Sequence, residues 1–179
     1  VDWTKRNVGS PVSNPDPAFI GTPIQDAGQF QGRMVLIAGQ HCIMSKTDKD
    51  QDFFLGSIAE MADTDPIDMK SRVENSVLRS IVQHSKDLVI FSNQGQFVVF
   101  GKTKLTPETA TMVLSSQFEA ELSAPPVGAG RNVFFATNFG SFTGIREFFV
   151  QNGTDINDSR PITQHVKKYI QGKATRLTT

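Results

Sequence analysis

The chain has 179 residues, enough for one ordinary domain and too few for several. Its 18 Lys and Arg offset its 18 Asp and Glu, so no global field favours nucleic acid, an anionic membrane or an acidic substrate. The one cysteine, Cys42, excludes an internal disulfide framework and a multi-cysteine zinc site, and 14 Phe beside one Trp and one Tyr suit pleated sheets better than helical bundles.

Residues 1–28, including "GSPVSNPDPAFIGTPIQDAG", are rich in Pro, Gly, Asn and Asp. Proline lacks a ladder donor and pushes its predecessor toward extended geometry, so this segment reads as an extended strap, anchored through Phe19 and Ile20. The opening "VDWTKRNVGS" lacks the apolar middle of a signal peptide, and no apolar stretch approaches the roughly 20 residues that span a bilayer. The chain therefore reads as soluble, without export information of its own. Arg33 to Ala38 and His41 to Ser45 flank Gly39-Gln40 and predict a first hairpin, in which Cys42 serves as a small apolar core residue.

Around 66–84 the period changes. Val73, Val77, Leu78, Ile81 and Val82 line one face of a helix, Thr64 or Asp65 caps it, and Pro66 and Asp68 suit its first turn. Leu88 to Phe91 and Phe97 to Phe100 then predict a second hairpin, with apolar residues on both faces. Such a ribbon must be covered on both sides by neighbouring sheets or helices. A strand follows near Thr111 to Leu114, and Arg131 to Ala136 with Thr143 to Val150 predicts a third hairpin. Phe91 and Phe134 are the expected core aromatics. Ile162, Val166, Tyr169 and Ile170 are spaced as in a helix, with Gly172 as a stop.

Met34, Leu88 and Val133 take equivalent places in the three hairpins, a loose repeat of the kind used by propellers, where each blade is covered by its neighbours. The expected class is mainly β with a few helices, a β-rich α+β fold of repeated antiparallel hairpins resembling part of a β-propeller. The expected organisation is a strap at 1–28, a β-rich domain at 29–157 with an inserted helix around 66–84, and a helical tail at 158–179. Three blades cannot close a ring, so further chain or further copies must complete it.

Asp48, Asp50 and Asp52 in "DKDQD" superficially resemble a calcium loop, but Phe53 stands where such a loop needs Gly and Ala59 where it needs Glu. They read as a solvated turn. Asp63, Asp65 and Asp68 could be read as a metal or acid/base cluster, but the helix start already accounts for two of these carboxylates. Glu119 and Glu121 alternate along one face of a strand, whereas a glycosidase pair must flank its substrate. His41, His84 and His165 are far apart, and His84 falls at the predicted helix C-terminus, where the dipole favours it. "GSFTG" is not a nucleophile elbow, and "GAGRN" lacks the third glycine of a phosphate loop. Lys102, Lys104, Lys167, Lys168 and Arg176 are scattered rather than interleaved with stacking aromatics. The expected catalytic, cofactor-binding and metal residues are none, and the chain reads as a non-enzyme.

From about Asn14 to Ile170, the phrases "NPDPAFIGTPIQDAGQFQGRMVLIAGQHCIMSKT", "FFLGS", "DTDPID", "LVIFSNQGQFVVFG", "LTPETA", "GIREFFV" and "ITQHVKKYI" follow one another in an order that resembles the tail nozzle proteins, or tail tubular protein B family, of short-tailed bacteriophages. The resemblance implies an internal fragment of a longer chain with propeller-type β domains. It further implies a six-fold homo-oligomeric ring below the portal, in contact with the adaptor and other tail proteins. DNA would pass through this conduit transiently, without specific binding, and no cofactor or membrane is implied. The implied place is the virion tail, of a phage or of a prophage in a bacterial host. The alternative, a carbohydrate-binding or hydrolysing tail component, would use exposed aromatic platforms, for which only Trp3 and Tyr169 are available.

Overall fold

A computed structural model describes residues 3–101, 103–150 and 157–178. Its strands form three antiparallel sheets, each of which runs as a meander. The first sheet contains β1 (Ile24–Phe30), β2 (Arg33–Ala38), β3 (His41–Met44) and β4 (Ile67–Lys70). The second contains β5 (Leu78–His84), β6 (Asp87–Ser92), β7 (Gly95–Val99) and β8 (Met112–Ser116). The third contains β9 (Val127–Ala129), β10 (Asn132–Phe139), β11 (Phe142–Val150) and β12 (Asn157–Pro161), with the short β13 (Ile170–Gln171) paired to the start of β11.

The three hairpins read from sequence are β2–β3, β6–β7 and β10–β11, the inner pair of each meander. Met34, Leu88 and Val133 all lie in the second strand of their sheets. Tight turns fix the registers. Gln31 and Gly32 both have positive φ, of 50° and 70°, and join Phe30 to Arg33 in a two-residue loop.

Alternation along the strands divides the core into layers. Val35, Ile37, Cys42, Met44, Ile67 and Met69 of the first sheet meet Leu88, Ile90, Phe97 and Val99 of the second. The intervening residues Val89, Phe91 and Val98 turn the other way and meet Val133, Phe135 and Phe148 of the third sheet. The second sheet is thus covered on both faces, as its doubly apolar hairpin requires. Each fully buried aliphatic or Phe side chain adds about 1.5–3 kcal/mol by leaving water. Gly28 lies against the second sheet: a Cβ there would stand 2.8 Å from Ile81 Cδ1, whose side chain would have to shift.

The far face of the first sheet is closed by the N-terminal segment. Trp3, Phe19 and Phe53 pack with ring centroids 5.1–5.7 Å apart over Leu36 and Ile43. Phe19 is therefore an anchor as expected, but Ile20 is 57% exposed, and Ile24 to Gly28 belong to β1.

The mainly β reading agrees with the structure; the helices within it do not. Residues 66–84 form β4, a turn and β5. β4 completes the first sheet with alternating burial, and Asn75, at φ 56°, breaks any helical run before Leu78 enters the core. The tail contains only a 3-10 turn, Gln164–Val166, between β12 and β13. The core aromatic is Phe135; Phe134 is half-buried on the opposite face of β10. Val1, Asp2, Lys102, residues 151–156 and Thr179 lie outside the described residues.

Candidate functional site

The loop between β3 and β4 is organised by one buried cation. Arg33 opens β2, so its guanidinium points beneath the loop that follows Phe53. Nη1 donates to Ser45 O and Asp65 O, each at 2.7 Å, and Nη2 donates to Asp63 O at 2.7 Å. Burial pulls the Arg33 pKa below its ordinary value, partly offset by Asp65 and Asp48. Asp65 completes the arrangement by accepting from Gly56 N at 3.1 Å and Ala62 N at 2.9 Å. It therefore anchors a loop; the helix cap expected of it does not exist.

The other singled-out carboxylates are engaged locally and separately. Asp52 pairs with Lys46 at 3.0 Å, and Asp50 accepts from Gln29 Nε2 at 3.0 Å. Asp48 sits in the turn at φ 58°. Asp68 lies 2.8 Å from His41 Nδ1 at the edge of β3 and β4. Glu119 is exposed, while Glu121 accepts from Ser123 Oγ at 2.6 Å, from Asn138 Nδ2, and from Ser123 N at 3.1 Å. These bonds hold its carboxyl down at about 2. The two glutamates are not strand neighbours, because β8 ends at Ser116.

His84 ends β5, not a helix, and its buried ring lies edge-on to Phe148 at 6.1 Å; desolvation lowers its pKa. His165 is exposed in the 3-10 turn. Cys42 is buried between the first two sheets, and burial pushes its thiol up to about 12, the behaviour of an inert core residue. Among the described residues no three His, Cys, Asp or Glu side chains form a metal-holding group. A hollow of about 160 Å³ under Pro15 and Pro17, floored by Ile43, Phe53 and Leu55, falls below the roughly 300–1,000 Å³ of small-molecule sites.

Sequence reasoning missed the polar groups that brace the second and third sheets internally and tie the first to the second. Gln96, fully buried in β7, donates to Phe118 O at 2.8 Å and accepts from Ser116 Oγ at 2.8 Å and Phe118 N at 3.1 Å. Asp26 at the β1 bulge accepts from Ile81 N at 2.9 Å, and Gln31 reaches Gly101 O and Leu105 N. Glu147, 5% exposed on the outer face of the third sheet, accepts from Asn132 and pairs with Arg160, which lies over Phe149. A polar residue within an apolar strand, such as Gln96 in "GQFVVF", was the available signal.

Stacked meanders braced by buried polar side chains, with titratable groups dispersed among them, make a mainly β scaffold. The chain matches the family described as bacteriophage nozzle protein over residues 1–179. It is also 35% identical over 172 residues to tail tubular protein gp12 of Escherichia phage T7, an alignment covering 95% of this chain and 22% of that protein. The chain belongs to the bacteriophage nozzle protein family, and so to the structural components of phage tails. It spans about a fifth of the length of that relative.

Proposed function

We propose that this chain forms part of the wall of a tail conduit, assembled as a six-fold ring that contacts the adaptor and other tail proteins and lets DNA pass without specific binding. The carrying observation is the second sheet, whose Leu88, Ile90, Phe97 and Val99 face one neighbouring sheet while Val89, Phe91 and Val98 face another. A sheet covered on both faces by its neighbours is what propeller blades require, and in this reading the remainder of a full-length chain supplies further blades. The role is mechanical and non-enzymatic, located in the virion tail whether the phage is free or carried as a prophage. Equal numbers of basic and acidic residues suit a wall that does not retain a phosphate backbone.

The test uses the full-length protein. Electron microscopy should find rings, and incubation with host polysaccharide should release no sugar. Persistent monomers that hydrolyse polysaccharide, with activity lost on Glu121→Gln, would refute the reading.

A further inference from the structure

Two exposed segments, one between strands of the third sheet and one between strands of the first, are unused by the core. The first is the turn after β12. Ile162 N donates to Ile145 O at 3.0 Å, Ile145 N donates to Thr163 Oγ1 at 3.0 Å, and Ile170 pairs with Thr143, so both ends of the turn are fixed to β11. Its middle carries Lys167 and Lys168, with Val166 51% and Tyr169 81% exposed.

The second is the loop at 56–63, whose base is held by Arg33 and Asp65 and whose flank rests on the strap through Asn14 and Leu55. Despite that firm support, Ile58 and Met61 are each 57% exposed, and Glu60 and Asp63 face solvent. Neither of these acids nor either lysine has an ion-pair partner among the described residues. The same polarity runs through the sequence. Residues 1–70 hold six Lys and Arg against ten Asp and Glu, whereas residues 120–179 hold seven against four.

We propose that the turn Ile162 to Ile170 of one copy seats on the 56–63 loop of the next copy. Lys167 and Lys168 meet Glu60 and Asp63, while Val166 and Tyr169 cover Ile58 and Met61. This rests on the ring reading above and assigns it a contact. Because the contact joins two different surfaces of the chain, it is head-to-tail and repeats from copy to copy, as a ring requires. A surface made for phosphate alone has no need of exposed Val166 and Ile162 beside its lysines. An apolar centre with a complementary charged rim is the makeup of a protein interface.

Charge exchange in the full-length chain provides the test, read by sedimentation and electron microscopy. K167E/K168E should raise the subunit concentration for half-assembly on the order of tenfold, and E60K/D63K should do the same. Combining all four substitutions should restore assembly. Circular dichroism melts should match the unmutated protein, because all four side chains are exposed. In an independent arm, oxidation of an E60C/K168C variant should give a ladder of cross-linked copies, with Cys42 shielded by its burial. Normal rings from K167E/K168E, no rescue by the four-residue exchange, or no ladder would overturn the contact. Normal rings with altered DNA retention would also overturn it, by assigning the turn to nucleic acid. An unmutated full-length chain that never forms rings would overturn the ring reading and this contact together.

Discussion

The second and third sheets follow the same antiparallel meander, yet their surroundings differ. In β6 and β7 every residue from Leu88 to Ser92 and from Gly95 to Val99 is buried, and both faces are apolar. In the third sheet the inner face, with Val133, Phe135 and Phe148, is equally buried, but the outer face leaves Phe134, Ile145 and Phe149 half-covered. That outer face also holds the Glu147 and Arg160 pair, set among Asn132 and Phe149. What a strand can carry is thus decided by what lies against it. A sheet between two others is written in consecutive apolar residues, whereas one with a single neighbour admits charge.

The sharpest way to break this comparison is to truncate one aromatic on each side. Phe91→Ala opens a hole beside Phe135, whose centroid is 5.3 Å away, and should cost about 3–5 kcal/mol. Phe134→Ala should cost only about 1 kcal/mol, since half of its burial is missing. Urea unfolding of both variants measures the gap, and equal losses would erase the distinction.

Next in size is Arg33→Leu. It strands the carbonyls of Ser45, Asp63 and Asp65 beneath the 56–63 loop, at a cost of about 3 kcal/mol. Thermal melts should show the loss, and limited proteolysis should cut that loop first.

The smallest effects are in pH. His84 has a lowered folded pKa, so below its ordinary 6.5 the unfolded chain binds the proton more readily, and stability falls as pH drops from there. Glu121 is also lowered, from an ordinary 4.5 to about 2, so its contribution is complete above 4.5 and lost as pH falls toward 2. His84→Gln should flatten the urea midpoint just below pH 6.5. Glu121→Gln should flatten it only between about 4.5 and 2. A variant that flattens the wrong window would refute its assignment.

The same contrast explains how much of the fold could be read in advance. The inner hairpins were legible because each is a local pairing across a short turn. β5 was mistaken for helix because both of its faces are sheltered: Ile81 packs toward the first sheet and Val82 toward the third, and a bulge between Leu78 and Ser80 shifts the alternation. Spacings of three and one result, which mimic a helical stripe. The tail carries helical spacing as well, but β11 already satisfies its backbone at Ile162 and Ile170, and Thr163 makes no side-chain cap. Asp48 and Asp50 are exposed, as a solvated turn requires, but Asp52 is buried and paired with Lys46. The role of Arg33 depends on carbonyls distant in sequence and leaves no local trace, whereas Gln96 shows only as a polar residue within an apolar strand.

Amide hydrogen exchange on the full-length protein, free and assembled, tests the sheltered second sheet most directly. Amides of β6 and β7 should exchange most slowly in both states, and those of β11 and β12 should gain protection only on assembly. Exchange in β6 and β7 as fast as in β12, in either state, would contradict it.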